Sequence, residues 1–301
     1  MSKKDNFKAL YALLFAWQPG FLIAVPFAVF LWLGILADRA LGTRPLFLIL
    51  GLFAAIAITA YKVYHWLIPL ISAKGFLDLW STRASALAAD ERAANLPVVF
   101  RSAPLTEFFL WITMLGKWQM ILIFTLAAAV LLWLWRKKSY IIPLWLSVAG
   151  SEIFTHIGKI AFQRPRPEAA LFAEHSFSFP SGHASNAIAF YGFLAYALIR
   201  DSGRRKTKVN LFFAAAAVIA LIGFSRLYLG VHYVSDVWGG YLVGALWLII
   251  SISVSEWLIS KGKKSVPFSP TKKTYIISII LIFFSLLSYI AFTVTHHPQI
   301  L

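Results

Sequence analysis

The stretch VNLFFAAAAVIALIGFSRLYL, residues 209–229, decides the fold class of this chain. Arg226 is the only charged residue in it, and the run is as long as the roughly 20 apolar residues that a helix needs to cross a bilayer. Similar apolar runs surround it, and they do not alternate apolar and polar residues as the strands of a membrane β-barrel do. The sequence therefore predicts an all-α, polytopic transmembrane helix bundle.

The composition supports the same fold class. Of 301 residues, 60% are hydrophobic and 13% are charged, whereas a soluble domain carries about 25% charged residues. The net charge of +16 would point to nucleic acid in a soluble protein, but here the basic residues gather in short loops between apolar runs. That pattern is typical of cytoplasmic loops and of contact with anionic lipid heads. We therefore expect the lipid bilayer, and no nucleic acid, as a partner.

The apolar runs divide the chain into four segments that differ in polarity. We expect an N-terminal membrane segment of one or two helices (1–72), an interfacial amphipathic segment (73–117), a helical core (118–260), and a basic loop with a C-terminal transmembrane helix (261–301). From Trp118 onward, six runs predict spanning helices. They are Trp118–Trp135, Tyr140–Phe162, His183–Ile199, Val209–Leu229, Asp236–Ile259 and Thr274–Thr295.

Three basic loops predict the orientation of the bundle. Two helices separate each of the loops 136–138, 200–208 and 261–273 from the next, so all three lie on one side. The positive-inside rule places that side in the cytoplasm. The loops 163–182 and 226–235 then lie on the opposite face. We expect a multi-pass protein of the bacterial inner membrane whose polar outer loops face the periplasm or the cell exterior.

Polar residues gather at the outer ends of these helices in three clusters. The clusters run from Lys159 to Pro167, from Pro180 to His183, and from Ser225 to Asp236. Ionisable residues within or beside transmembrane helices are energetically costly, and they are therefore candidates for function.

The cations of the clusters favour a phosphoryl group as the ligand. Lys159, Arg166 and Arg226 match the two or three anionic oxygens of such a group better than a single carboxylate. Ser181 would add a hydroxyl donor, and Gly182 would allow close backbone approach at a helix N-terminus, where anions are favoured. Each cation alone could instead snorkel to the membrane surface, but the combination favours an anion site.

Two histidines and an aspartate supply the remaining chemistry. His232 and Asp236 are four residues apart, so on a helix the carboxylate can orient the imidazole. An oriented, neutral histidine can attack phosphorus, and His183 can protonate the leaving oxygen. The alternative to a catalytic role, for any single histidine near a helix end, is that it is a polar residue at the membrane interface.

The sequence also argues against metal and cysteine chemistry. Beyond Asp236, the outer loops offer few carboxylates, such as Glu168 and Glu174, and cations stand where a metal would otherwise bind. The chain has no cysteine, which excludes disulfides, zinc-thiolate sites and cysteine nucleophiles. We therefore expect a metal-independent reaction that needs no cofactor and no metal ligands.

Taken in order, the motifs Lys-x6-Arg-Pro, Pro-Ser-Gly-His and Ser-Arg-x5-His-x3-Asp resemble the signature of the type 2 phosphatidic acid phosphatase (PAP2) superfamily. The resemblance covers about residues 90–259, and every position of the three motifs matches. It implies a six-helix phosphatase core in which His232 is the nucleophile, Asp236 its orienting partner and His183 the acid. It also implies that the phosphoryl group is bound by Lys159, Arg166, Ser181, Gly182 and Arg226.

The resemblance to the membrane branch of this superfamily implies a lipid phosphate or diphosphate phosphatase that acts through a phosphohistidine intermediate. Undecaprenyl diphosphate is the first expected substrate, because bacterial members with an outward-facing site often serve its recycling. Phosphatidic acid, phosphatidylglycerophosphate and a lipid A phosphate are the alternatives. Phosphotransfer to another acceptor stays open, and so does lipid transport, although charges at helix ends rather than at the midplane disfavour a transporter.

The N-terminal segment lies outside that signature. Gly34, Asp38, Gly42-Thr43 and Pro45 resemble the small two-helix accessory protein found with bacterial ATP synthases. The alternative interpretation is that these helices only fill space in the bundle.

Overall fold

The computed structural model describes residues 96–174, 176–261 and 271–296, together with residue 90 and part of the stretch 29–58. Every secondary-structure element bounded in these ranges is helical, which confirms the all-α prediction. The chain divides into two compact units, Met1–Asp90 and Glu91–Leu301. Most of the predicted N-terminal membrane segment (1–72), and most of the interfacial segment before residue 96, lie outside the described residues.

In the first unit, Asp38 and Gly42 lie where two helical stretches meet. Residues 32–41 are helical, and a second stretch begins at residue 46. The buried Asp38 side chain accepts hydrogen bonds from the backbone N–H groups of Phe47 and Leu48, both at 2.9 Å. These amides lie in the first turn of the second stretch, where N–H groups lack intrahelical partners. Gly42 adopts φ +68° in the turn, a conformation that favours glycine.

The second unit is a helix bundle with mostly short connections. Its helices are α1 (Ala103–Met114), α2 (Trp118–Leu134), α3 (Ile141–Phe162), α4 (Gly182–Ala187), α5 (Phe193–Asp201), α6 (Arg205–Tyr228), α7 (Val234–Lys261) and α8 (Lys272–Thr295). A π-helical turn, Ile188–Gly192, joins α4 to α5. Short 3-10 helices, Leu96–Phe100 and Lys138–Tyr140, precede α1 and α3. The helices coincide with the predicted runs to within a few residues.

Length and composition qualify several of these helices as membrane spans. Within the described residues, α3 with its preceding turn, α6, α7 and α8 are long and apolar enough to cross a bilayer, and α1 with α2 would form a fifth span, bent by 51°. The third predicted run, His183–Ile199, is divided by the π-helical turn, so neither α4 nor α5 is long enough alone. The protein is thus a polytopic membrane helix bundle, as predicted.

Two glycines on α7 bring α4 into direct contact with it. A Cβ added at Gly240 would lie 2.3 Å from the carbonyl oxygen of Ser181, and one added at Gly244 would lie 2.5 Å from that of Ser185. Small residues four positions apart are a common way for membrane helices to approach closely. This packing places the beginning of α4, which carries one predicted motif, beside the beginning of α7, which carries another.

Polar contacts tie together the opposite ends of the helices. Lys137, before α3, forms an ion pair with Asp201 at the end of α5, and Tyr140 Oη donates to the same carboxylate at 2.9 Å. Arg200 pairs with Glu256 of α7 at 2.7 Å. The described parts of the basic loops therefore lie at one end of the bundle. The predicted site residues lie at the other end, because they occupy the opposite termini of these same helices.

Candidate active site

The three polar clusters converge around one cavity. It lies between the end of α3, the loop 163–181, the start of α4 and the turn between α6 and α7, and its volume is about 270 Å³. Sites for drug-sized ligands span roughly 300–1,000 Å³, so this cavity suits a phosphorylated head group better than a whole lipid. Among its lining residues are Lys159, Arg166, Gly182, His183 and His232.

His232 is buried in the turn before α7, where two oxygen atoms face its ring. Nδ1 lies 3.4 Å from Asp236 Oδ2 and 3.3 Å from Ser178 Oγ. On the other side of the ring, Nε2 lies 3.3 Å from Arg166 Nη1. Because a guanidinium can only donate, this contact favours the tautomer with the proton on Nδ1 and a lone pair on Nε2. Nε2 is therefore the atom able to act as a nucleophile.

The surroundings of His232 keep its imidazole neutral. Burial lowers the pKa of His232 to about 3, and the charges of Arg226 and Arg166 act in the same direction, whereas the hydrogen bond from the ring to Asp236 raises the pKa. Burial outweighs the effect of Asp236 because a charged imidazolium loses its hydration in this turn. The lone pair that nucleophilic attack requires is thus available at neutral pH.

Asp236 is fully buried and held from several directions. Arg164 Nη1 donates to its Oδ1 at 2.8 Å, the backbone N–H of Tyr233 donates to its Oδ2 at 2.9 Å, and Ser178 Oγ donates to Oδ2 as well. The carboxylate is therefore fixed in the position from which it orients His232.

Sequence reasoning missed two of these supporting residues. Arg164 could have been predicted from the sequence, because it is the first arginine of the Arg164-Pro-Arg166-Pro repeat, which lies inside the first motif. No sequence feature points to Ser178, since it lies in a Ser-Phe-Ser-Phe stretch outside the motifs. Only the folding of the loop 163–181 over α7 brings Ser178 to Asp236.

The predicted cations Arg166 and Arg226 meet on a single carboxylate, that of Glu174. Arg166 Nη2 lies 3.0 Å from Glu174 Oε2, and Arg226 Nη2 pairs with Glu174 Oε1. The Arg226 guanidinium is 1% exposed and also donates to Thr113 Oγ1 at 2.7 Å. Lys159, the third cation, donates to the carbonyl oxygen of Phe177 in the same loop.

Glu174 therefore lies where an anion is expected. Burial would raise its pKa, but the charges of Arg226 and Arg166 outweigh burial and hold the pKa well below its usual range. The side chain is an ionised carboxylate whose two oxygens bridge two guanidinium groups. A phosphoryl group presents the same kind of oxygens to the same donors.

Two buried donors complete the anion-binding side. Ser181, the residue before α4, and Arg226 each have a buried polar atom, Oγ and Nε, without a hydrogen-bond partner among the residues that the structure describes. Unpaired buried donors are costly, so both atoms are suited to a ligand. Gly182 and His183 follow on the first turn of α4 and line the cavity. Five of the predicted site residues thus line the cavity, namely Lys159, Arg166, Gly182, His183 and His232. Arg226 and Asp236 contact the lining residues Glu174 and His232, and Ser181 directly precedes Gly182.

The carboxylates and histidines of this region are not arranged as metal ligands. In the described parts of the chain, no group of three or more His, Asp and Glu side chains could hold a metal ion.

Comparison with known proteins identifies the family. Residues 118–260 match the model of the PAP2 superfamily. Phosphatidylglycerophosphatase B of Bacillus subtilis (strain 168) is 34% identical over 160 residues, which are 52% of this chain and 79% of that protein. A dihydrosphingosine 1-phosphate phosphatase of Schizosaccharomyces pombe is 26% identical over 196 residues, or 62% of this chain and 45% of that protein. The chain belongs to the PAP2 superfamily, as its motifs predicted.

A solved structure supports the same assignment. The crystal structure of a transmembrane PAP2-type phosphatidylglycerolphosphate phosphatase from Bacillus subtilis matches with a TM-score of 0.54 and 31% identity, over 60% of this chain and 90% of that chain. This neighbour and the curated relatives are phosphatases of lipid phosphates, which are hydrolases.

The N-terminal segment matches a different family. Residues 13–66 match a family model described as an F0F1-ATPase subunit and Ca2+/Mg2+ transporter. This finding confirms the resemblance noted from Gly34, Asp38 and the Gly42 turn.

Proposed function

We propose that the protein is an integral-membrane lipid phosphatase that releases phosphate from a phosphorylated head group through a phosphohistidine on His232. The arrangement that supports the proposal is the neutral, buried His232 whose Nε2 lies 3.3 Å from Arg166 Nη1, with Arg226 nearby. A nucleophile and cations on one side of a small cavity suit attack on a phosphoryl group.

The proposed reaction has two displacements at phosphorus. In the first, His232 Nε2 forms a bond to phosphorus while the bond to the lipid oxygen breaks, and His183 gives its proton to that oxygen. In the second, water attacks the phosphohistidine, His183 accepts the water proton, and the bond to Nε2 breaks to release inorganic phosphate. Arg166, Arg226 and the Ser181 hydroxyl would hold the non-bridging oxygens, where negative charge develops.

Phosphatidylglycerophosphate is the substrate that we favour, because both Bacillus subtilis relatives carry that specificity in their descriptions. Undecaprenyl diphosphate, phosphatidic acid and lipid A phosphates are the competing substrates. Phosphotransfer to another acceptor predicts that the phosphoryl group ends on that acceptor, so release of inorganic phosphate without an acceptor would argue against it. Lipid transport predicts no phosphate release at all.

We further propose that the reaction needs no metal ion. The guanidinium groups of Arg166 and Arg226, with the ammonium of Lys159, supply the positive charge that a metal would otherwise bring to the phosphoryl oxygens. Vanadate should inhibit, because it adopts the five-coordinate geometry of phosphoryl transfer and the site should bind that geometry best.

One experiment tests these proposals together. Purified protein in detergent is offered phosphatidylglycerophosphate, phosphatidic acid, a lipid A phosphate and undecaprenyl diphosphate, each with excess EDTA and no added acceptor, and released phosphate is measured. We expect release from phosphatidylglycerophosphate and inhibition by vanadate. Activity that is lost on chelation and restored only by a divalent metal would overturn metal independence. Release from none of the lipids would overturn the proposed function.

A further inference from the structure

The cavity extends beyond the phosphoryl site to polar residues that the proposed reaction does not use. Glu152 of α3 and Asn186 of α4 both line it. Glu152 precedes Lys159 by two helical turns, roughly 10 Å along the axis, so it lies deeper in a membrane-spanning helix than the cations do. Asn186 follows His183 by three residues on α4, which places both side chains on one face of that helix.

Glu152 and Asn186 form a hydrogen-bonded pair that retains an acceptor atom without a partner among the described residues. Asn186 Nδ2 donates to Glu152 Oε2 at 2.8 Å. Asn186 is 2% exposed, and its Oδ1 has no hydrogen-bond partner among the described residues. One amide N–H of Asn186 is used on Glu152, so the unpaired Asn186 Oδ1 and the carboxylate of Glu152 leave oxygen acceptors on two residues that line the cavity. Oxygen acceptors bind hydroxyl groups and disfavour phosphate oxygens.

The position of the pair assigns it to one side of the scissile bond. His183 would protonate the leaving oxygen, and Asn186 lies one turn further along the same helix face. A carboxylate within a membrane-spanning segment is costly and is a functional candidate by default. If the cations hold the transferred phosphoryl group and His183 protonates the leaving oxygen, the Glu152–Asn186 pair lies on the side of the group that leaves.

We propose that Glu152 and Asn186 bind a hydroxyl of the leaving head group and select a leaving oxygen that belongs to a hydroxylated alcohol over one that belongs to a phosphate. The inference rests on the proposed phosphatase function and deepens it. Hydrolysis of phosphatidylglycerophosphate releases phosphatidylglycerol, whose glycerol has a free hydroxyl beside the leaving oxygen and carries its phosphodiester charge at its other end. A diphosphate lipid leaves as a lipid phosphate, whose negative charge would face the Glu152 carboxylate. Phosphatidic acid leaves without a second hydroxyl to bind.

The test compares Glu152→Gln with wild type on phosphatidylglycerophosphate and undecaprenyl diphosphate, by kcat/KM for phosphate release. Glutamine keeps the acceptor for Asn186 and removes the charge. We expect the preference for the monoester over the diphosphate to fall by about tenfold, a factor that corresponds to 1.4 kcal/mol. Glu107→Gln, on α1 and paired with Trp111, is the matched control and should leave the preference unchanged.

A second variant keeps the proposal testable if the first does not fold. Asn186→Leu removes the polar atoms at similar volume, and it should reduce kcat/KM for phosphatidylglycerophosphate more than for phosphatidic acid, which offers no second hydroxyl. Equal effects on all substrates in an active, folded variant would overturn the subsite alone. A wild-type protein that hydrolyses none of these lipids would overturn the phosphatase proposal, and the subsite with it.

Discussion

Glu174 Oε2 lies 3.0 Å from Arg166 Nη2, and the other oxygen of the same carboxylate pairs with Arg226. These two arginines are also the ones that we expect to hold the substrate phosphoryl group. Substrate and Glu174 cannot use the same guanidinium donors at once. We therefore expect Glu174 to compete with the substrate for these two arginines.

Replacing Glu174 with glutamine should strengthen phosphate binding. The neutral amide competes less well for two cations, and a hydrogen bond to a charged group is worth about 1.5–3 kcal/mol. Because the Glu174 side chain is 24% exposed, solvent screens part of that energy. We expect KM for the lipid phosphate and the inhibition constant of vanadate to fall by roughly three- to tenfold. Glu168→Gln, an exposed carboxylate on the same loop, is the control, and a higher KM in Glu174→Gln would contradict the competition.

Removing the proposed nucleophile should abolish turnover. His232→Ala leaves the cations in place but removes Nε2, so the variant should bind vanadate and form no acid-labile phosphoenzyme. We expect a loss of more than about a hundredfold in kcat, in keeping with other nucleophile deletions. His296→Ala, at an exposed histidine beyond the end of α8, should keep wild-type activity. Phosphoenzyme formation by His232→Ala would show that another residue attacks.

The pH profile should report the pairing of His232 with Asp236. His232 must be neutral to attack, and because its pKa is lowered well below 6.5, the histidine limits the rate only on the far acidic side. Asp236 raises that pKa, so Asp236→Asn should lower it further. The acidic limb of the pH profile of kcat should then move to lower pH. The value of kcat should also fall, because the imidazole ring loses its orienting partner. Asp236→Glu, which keeps the charge, should preserve the limb, and a shift of the limb to higher pH in Asp236→Asn would contradict the pairing.

Cysteine labelling should locate the site relative to the membrane. The chain has no cysteine of its own, so a single introduced thiol reports cleanly. Glu168→Cys, on the loop at the site end, should react with a membrane-impermeant reagent in cells whose outer membrane is permeabilised. Gly203→Cys, between α5 and α6 with open space around its Cα, should react only after the inner membrane is broken. The reverse pattern would place the active site in the cytoplasm.

The sequence alone determined the class of fold, and it predicted the residues of the candidate site. A bilayer imposes a minimum length on each apolar run, so runs such as Val209–Leu229 reveal their helices without tertiary information. The motif residues can also be predicted from the sequence, because ionised side chains are rare at membrane boundaries and the motif side chains occur in a fixed order and spacing. The alternation of basic loops then predicted that the motifs share one end of the bundle.

Only the tertiary structure decided which polar groups face one another. Ser178 reaches Asp236, Glu174 bridges Arg166 and Arg226, and Asn186 pairs with Glu152. Many residues separate the members of these pairs along the chain, so no local periodicity connects them. Their distances depend on how the loop 163–181 folds over α7 and on how closely Gly240 and Gly244 let α4 approach. Hydrogen bonds and ion pairs act over about 3 Å, and helix packing, rather than sequence spacing, sets positions to that precision.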